Sequence, residues 1–451
     1  SGTPPTHFTD AAAQTVAGLA NLDQGLKTAI IGGGWAGLAA AVELCAAGSE
    51  VTVFESAKQL GGRARRVDIY GHALDNGQHI LVGAYCETLR LMNAISADGE
   101  RLLRRVPLEL SYPGAGFRMK LPRLPAPLHL AFGLLKASGC TWAEKISAVR
   151  FMRTLQACEY RLAEDCTVSG LLDRHQQEGA LRRYLWQPLC LAALNTAPEN
   201  ASAQLFANTL RDSIGGSRSA TDLLLPAADL GSLFPDAAAT FIQARGGKIH
   251  LTTRIEQIDP RHEIHDERFD HVILAVAPQH ASRLLTQLPE TAATAKLLGS
   301  YAYEPIATVY AGYAPDLRLP CPMLGLDSGK KEPIGQWVFD RGQLGNADGV
   351  LSFVLSGSGN WEEREDDDLL GALHSELETA LKRKLPKPCW HQIIRERRAT
   401  FSCHPKLPRP STQTAMPGLW LAGDYAYADY PATLEGAVRS GVTAARAILA
   451  D

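Results

Sequence analysis

The chain has 451 residues, enough for about two or three domains and for a buried core that needs neither staples nor metals. A hydrophobic fraction of 45% with 21% charged residues excludes wholesale disorder. Lys plus Arg number 45 against 48 Asp plus Glu, a net charge of −3, so a nucleic acid is not an expected partner.

Residues 1–26 lack a basic segment followed by an apolar one and read as a flexible N-terminal extension, not a signal peptide. Lys27–Ile31 predicts a buried strand, Trp35–Ala47 a helix and Glu50–Phe54 a second strand. Such a βαβ unit has parallel strands and a right-handed crossover. Ala29–Gly48 is long enough to span a membrane, but its glycines divide it into a strand-like and a helix-like half.

Residues 107–127 are rich in Pro and Gly and predict a crossing between domains. The next stretch, to about residue 215, reads as mostly helical. Within it Leu128–Leu135 is apolar, and Ile146, Val149, Met152, Leu155 and Leu162 fall on one face of a helix over Thr141–Leu162. Lys248–Asp259 predicts a bent strand, and His271–Ala277, Pro305–Tyr313 and Gly349–Leu355 predict further strands. Asp367–Lys384 predicts a helix, Arg395–Arg398 a solvated strand or edge, Leu419–Ala422 a last buried strand and Leu434–Ala450 a closing helix. The nine cysteines are scattered, odd in number and without a CxxC pair, which predicts neither a disulfide framework nor zinc and favours a reducing, cytoplasmic compartment. His262 and His265 lack carboxylate or Cys company, so no metal is expected there.

Between the first strand and helix lies Gly32-Gly33-Gly34-Trp35-Ala36-Gly37, a G-x-G-x-x-G turn. Its glycines permit a tight turn, close approach to a pyrophosphate and close helix–strand packing. Glu55 ends the second strand, where a carboxylate accepts ribose hydroxyls and disfavours a 2′-phosphate. Gly61-Gly62-Arg63 follows, and far downstream Gly423-Asp424 and then Pro431–Gly436 open the closing helix.

These four blocks, in this order, resemble the FAD-dependent amine oxidase and phytoene desaturase superfamily. The resemblance implies a two-domain α/β fold of the Rossmann-like FAD-binding type, with a mixed sheet-plus-helical substrate domain. It places residues 27–106, 228–290 and 412–451 in the FAD domain and 107–227 and 291–411 in the substrate domain. FAD would then meet Gly32, Gly34, Trp35, Ala36 and Gly37 at its pyrophosphate and Glu55 at its adenosine ribose. Gly62 and Arg63 would face the phosphates or ribityl chain, Ile255 the adenine. Gly423, Asp424, Thr433 and Leu434 would lie at the isoalloxazine end.

Three further blocks, Asp75–Leu81, Trp186–Leu189 with Leu194–Thr196, and Pro431–Gly441, are similar to the hydroxysqualene dehydroxylase branch. That resemblance implies reduction of hydroxysqualene to squalene with loss of water by reduced flavin, in a deep apolar tunnel. It sets Gly77, Gln78 and His79 near the flavin ring, with Asp75 and His79 as candidate proton donors. Asn195, Tyr425 and Tyr430 are the expected substrate contacts. The expected partners are hydroxysqualene or a related long isoprenoid and an unidentified reductant of the flavin. Leu124–Leu135, bordered by Arg123 and Lys136, suits either a tunnel lining or a shallow contact with the inner face of a membrane. A carotenoid desaturase is the nearest rival. An amine oxidase is less favoured, because Pro305–Tyr313 carries no Lys, and a non-catalytic prenyl-group binder would lack the flavin.

Overall fold

The structure, a computed structural model, describes residues 25–95, 98–327, 333–345 and 347–451. The expected N-terminal extension falls, up to residue 24, outside the described residues.

Lys27–Ile31 is the central strand of a five-stranded parallel sheet. On one side it pairs with Glu50–Phe54, which in turn carries Lys248–His250. On the other it pairs with His271–Leu274, and Leu419–Leu421 closes that edge. The inner strands are apolar runs because both faces are covered: Ile30, Val53 and Ile273 pack with helix Trp35–Ala46, and Ile31, Val272 and Leu274 with Ile264, Phe269 and Leu285. Helix Trp35–Ala46 packs beneath the closing helix Leu434–Ala450, which only small residues permit: a Cβ on Gly441 would stand 2.0 Å from the carbonyl oxygen of Ala36.

A second five-stranded sheet is antiparallel, in the order Met323–Gly325, Trp337–Asp340, Val350–Ser356, Tyr303–Gly312 and Trp390–Phe401. Helix Asp366–Leu381 buries Leu369, Leu373 and Leu377 in a core shared with Val309, Phe353 and Leu355 of this sheet. The run Arg395–Arg398 lies on its edge strand, as the charge pattern suggested.

Two expectations need correction. Only Lys248–His250 of the bent strand pairs; from Leu251 the chain leaves the sheet, and the Thr253 N–H bonds to the carbonyl of Glu55. The helix expected over Thr141–Leu162 runs from Trp142 to Ala157 and is rolled relative to its apolar pattern. Lys145, Ala148, Phe151 and Leu155 face inward, whereas Ile146 and Val149 are exposed. Phe151 fixes the roll by packing edge-on against Trp186, and the Lys145 ammonium is drawn in by the carbonyls of Leu135 and Ala137.

Candidate functional site

The glycine turn is held by backbone contacts that a side chain would break. Gly32 has φ +113°, and a Cβ there would meet the carbonyl oxygen of Ala275 at 2.3 Å. A Cβ on Gly37 would meet the carbonyl oxygen of Gly32 at 2.0 Å. The helix that follows has no side-chain cap and no acid in its first turn, so its leading N–H groups and positive dipole end are left for an anion. At Gly34 an added Cβ would have only the Cα of Gly62, 3.8 Å away, so the turn is open on that side.

Glu55 takes the Gly33 N–H on one oxygen at 2.7 Å and the Ala57 N–H on the other at 2.7 Å. The oxygen that takes Ala57 also accepts the Ser56 hydroxyl at 3.3 Å, so the one that takes Gly33 keeps a lone pair for a ribose hydroxyl. The irregular segment after His250 carries Ile255 to the same wall.

Arg63 donates to the carbonyl of Ala399 at 2.7 Å and to Asp424 Oδ2 at 2.8 Å. Asp424 Oδ1 is buried and has no partner. Buried acceptors are rarely left unmade, so this oxygen marks a place for a ligand hydroxyl. The surrounding loop is fixed by Arg409, whose guanidinium donates to the carbonyls of Asp424, Tyr425, Tyr427 and Tyr430. Thr433 then caps the closing helix through the Gly436 N–H, which sets another positive helix end at Leu434.

All of this borders one cavity of about 1260 Å³, larger than the roughly 300–1,000 Å³ of an ordinary ligand pocket. Gly32, Gly34, Trp35, Ala36, Glu55, Gly62 and Arg63 contribute to its wall, as do Gly423, Asp424, Thr433 and Leu434. Leu108, Leu110, Tyr112, Met323, Trp337 and Phe339 give the same cavity an apolar lining. An anion cradle, ribose acceptors and an orphan carboxylate oxygen along one wall fit a dinucleotide flavin.

Gly77, Gln78 and His79 are also on the wall. His79 Nδ1 lies 2.7 Å from the carbonyl oxygen of Gly77, so it carries the ring proton of the neutral form and Nε2 remains an acceptor. Burial pushes the imidazole below its ordinary range.

Asp75 does not reach the cavity. It is 1% exposed and accepts the Leu230 N–H on Oδ1 at 2.7 Å; its Oδ2 has no hydrogen-bond partner and stands 4.0 Å from Arg341 Nη2. Burial raises its carboxyl to about 7. Arg341, itself fully buried, donates to Gln78 Oε1 at 2.7 Å. Asp75 is therefore linked to the wall through Arg341 and Gln78, and direct proton donation from it is not supported.

Three other expected positions are also placed differently. Gly37 packs helix against strand and is not on the wall. Asn195 borders the cavity, but its amide is committed to Pro305, Thr400 and Gly357, clamping helix to sheet. Tyr425 is fully buried away from the cavity, whereas Tyr430 lines it and donates to Asp212. Asp212, the Arg183–Asp327 pair and Arg341 were missed by sequence reasoning. The short apolar run Trp337–Phe339, ending at Asp340 and followed by Arg341, was the one available signal for the last.

Residues 35–449 match the family of flavin-containing amine oxidoreductases. The chain belongs to that family. Among curated relatives, a hydroxysqualene dehydroxylase of Rhodopseudomonas palustris is 29% identical over 444 residues, covering 93% of this chain and 98% of that protein. A second, from Zymomonas mobilis, is 26% identical over 441 residues with the same coverage. A 15-cis-phytoene desaturase of Arabidopsis thaliana is 24% identical and covers 94% of this chain but 80% of that protein. Solved structures with the same fold include an oxidoreductase from Methanosarcina mazei, with TM-score 0.69 at 17% identity over 93% of this chain and 99% of that one. Putrescine oxidase bound to putrescine has TM-score 0.67 at 16% identity over 95% and 100%. The flavoprotein fold and the amine oxidase superfamily read from the four motif blocks are thus shown, and the dehydroxylase relatives extend over nearly the whole chain.

Proposed function

We propose that this flavin enzyme uses FAD to reduce hydroxysqualene to squalene with loss of water. The observation that carries the reading is the continuity of one cavity, which is bordered both by the glycine-rich anion cradle and by an apolar lining. Relatives named hydroxysqualene dehydroxylase, matched over 98% of their length, support this substrate over a carotenoid precursor.

When bound in its reduced form, the flavin would supply the hydride that takes the place of the hydroxyl at the allylic carbon. The departing oxygen needs a proton. His79 is the residue we assign to deliver it: an imidazolium weakened by burial gives its proton up readily. Gln78, held by Arg341 and by the Ser352 hydroxyl at 3.1 Å, orients the polar patch beside it. The apolar lining binds the chain and excludes the water that would recapture a cation. Tyr430 and Asp212 close the wall beside Thr433 and contact the substrate. An external reductant must return the flavin to its reduced state, and a lipid substrate of this kind arrives from a membrane surface.

Incubation of the dithionite-reduced protein with hydroxysqualene, followed by extraction and mass analysis, tests the reading. Squalene is the expected product. Oxidised protein that instead dehydrogenates phytoene would replace it with a desaturase.

A further inference from the structure

Six of the eight large apolar side chains that stand exposed among the described residues fall between Leu128 and Val149. Leu128, Phe132 and Leu135 lie on helix Leu128–Lys136, and Trp142, Ile146 and Val149 on helix Trp142–Ala157. In each helix the three follow the i, i+4, i+7 spacing of a single face. The opposite faces are occupied: Gly133 sits against Leu121, and Ala148, Phe151 and Leu155 are in the core. The two helices are locked together by the Lys145 ammonium, which donates to the carbonyls of Leu135 and Ala137 at 2.9 and 2.7 Å.

The charge around these faces is one-sided. From Leu110 to Cys158 the chain has seven Lys or Arg and one acid, Glu144, in a protein whose net charge is −3. The Glu144 carboxylate is already used by the N–H groups of Thr141 and Ala180. Arg118 and Lys120 pair with Glu109. Arg123, Lys136, Arg150 and Arg153 are exposed and have no acidic partner among the described residues. Lys136 and Arg150 each follow the last apolar residue of a stripe, and Arg153 continues the second stripe one turn on.

We propose that these two helices form a docking face for an anionic phospholipid bilayer, with the six apolar side chains entering the interface and the four basic ones on the headgroups. A helix of this kind lies in the membrane plane, its apolar face buried roughly 5–10 Å. No helix of the described residues is long and apolar enough to cross. The face is coupled to the cavity: Ser138 exchanges backbone hydrogen bonds with Arg118 on strand Phe117–Lys120, and the paired strand Glu109–Tyr112 puts Leu110 and Tyr112 on the cavity wall. Delivery of a lipid substrate through this face rests on the function proposed above; the docking itself does not.

Co-sedimentation of the flavin-loaded protein with vesicles, in the absence of substrate, tests it. The protein is expected to sediment with phosphatidylglycerol–phosphatidylcholine vesicles, less so as salt rises. The triple variant Phe132→Glu, Trp142→Glu, Ile146→Glu should lose at least about tenfold in partitioning. The variant Lys136→Glu, Arg150→Glu, Arg153→Glu should lose its preference for anionic over pure phosphatidylcholine vesicles. An unchanged visible flavin spectrum and melting temperature show that each variant folds. Wild-type protein that stays in the supernatant with both vesicle types overturns the proposal, as does apolar-variant binding equal to wild type. A concentration-dependent dimer, abolished by the same substitutions and without vesicle binding, assigns the face to a second copy and also overturns it. Vesicle binding without any reduction of hydroxysqualene leaves the docking face standing and removes only the substrate reading.

Discussion

The Arg63 guanidinium reaches Asp424 Oδ2 at 2.8 Å across 361 positions of sequence, joining the second glycine block to the end of the last strand. The other Asp424 oxygen is buried without a partner. Arg63→Ala releases this carboxylate on the cavity wall, and Asp424→Asn removes its charge. Each substitution should weaken flavin binding by about 10- to 100-fold, the scale of one charged hydrogen bond. Titration of the apoprotein by flavin fluorescence measures this.

Gly34 and Gly37 should respond differently to alanine. The Gly37→Ala methyl meets backbone at 2.0 Å, which forces the turn apart and destabilises the protein by roughly 1–3 kcal/mol or more. The Gly34→Ala methyl has open space on the protein side, so the melting temperature should hold. That methyl stands where a pyrophosphate would approach, so flavin content should fall. Thermal melts paired with flavin absorbance separate the two outcomes.

His79 should impose a pH dependence on turnover. Its imidazole is held below the ordinary range by burial, so the protonated form accumulates only as pH falls. The rate of the reductive step should rise toward acid through that lowered value and then level off. His79→Gln should retain flavin and lose about 10²- to 10⁴-fold in kcat, the usual contribution of a positioned proton donor. A variant that keeps the wild-type profile removes the assignment.

Asp75 should affect stability rather than turnover directly. Its carboxyl is raised to about 7 by burial, against the attraction of Arg341 and Arg66 and with added repulsion from Asp229. Between the unfolded value of about 3.9 and this raised value, the folded state holds a proton that the unfolded chain has released. Stability therefore falls as pH rises through that window, and the full penalty of the buried charge is present above about 7. Asp75→Asn keeps an acceptor for the Leu230 N–H and removes the titration. Urea midpoints from pH 5 to pH 8 should decline for the wild type relative to the variant.

Four of the five strands of the parallel sheet were legible because each is a short apolar run, as with Ile31 before Gly32 and Phe54 before Glu55; the edge strand Lys248–His250 is not apolar, and its end was misjudged. The gathering of the glycine blocks around one cavity was legible for a similar reason: these residues sit in local blocks whose spacing is set by turn geometry. The substrate side was not. Asp212, Trp337 and Phe339 reach the cavity from elements far apart in sequence, and no local spacing connects them. Asp75 was misread because a polar residue next to a motif gives no sign of whether it faces the cavity or Arg341 behind it. The roll of helix Trp142–Ala157 depends on Trp186, outside the helix itself, so periodicity alone pointed Ile146 and Val149 to the wrong side.

The central claim is that one cavity carries a hydride from reduced flavin to an allylic alcohol. Its most direct test is an anaerobic single turnover: flavin reduced in place, excess reductant removed, hydroxysqualene added, and the oxidised visible band followed while squalene is quantified. One squalene formed per flavin reoxidised is the predicted result. A flavin that stays reduced while hydroxysqualene is recovered unchanged would contradict it.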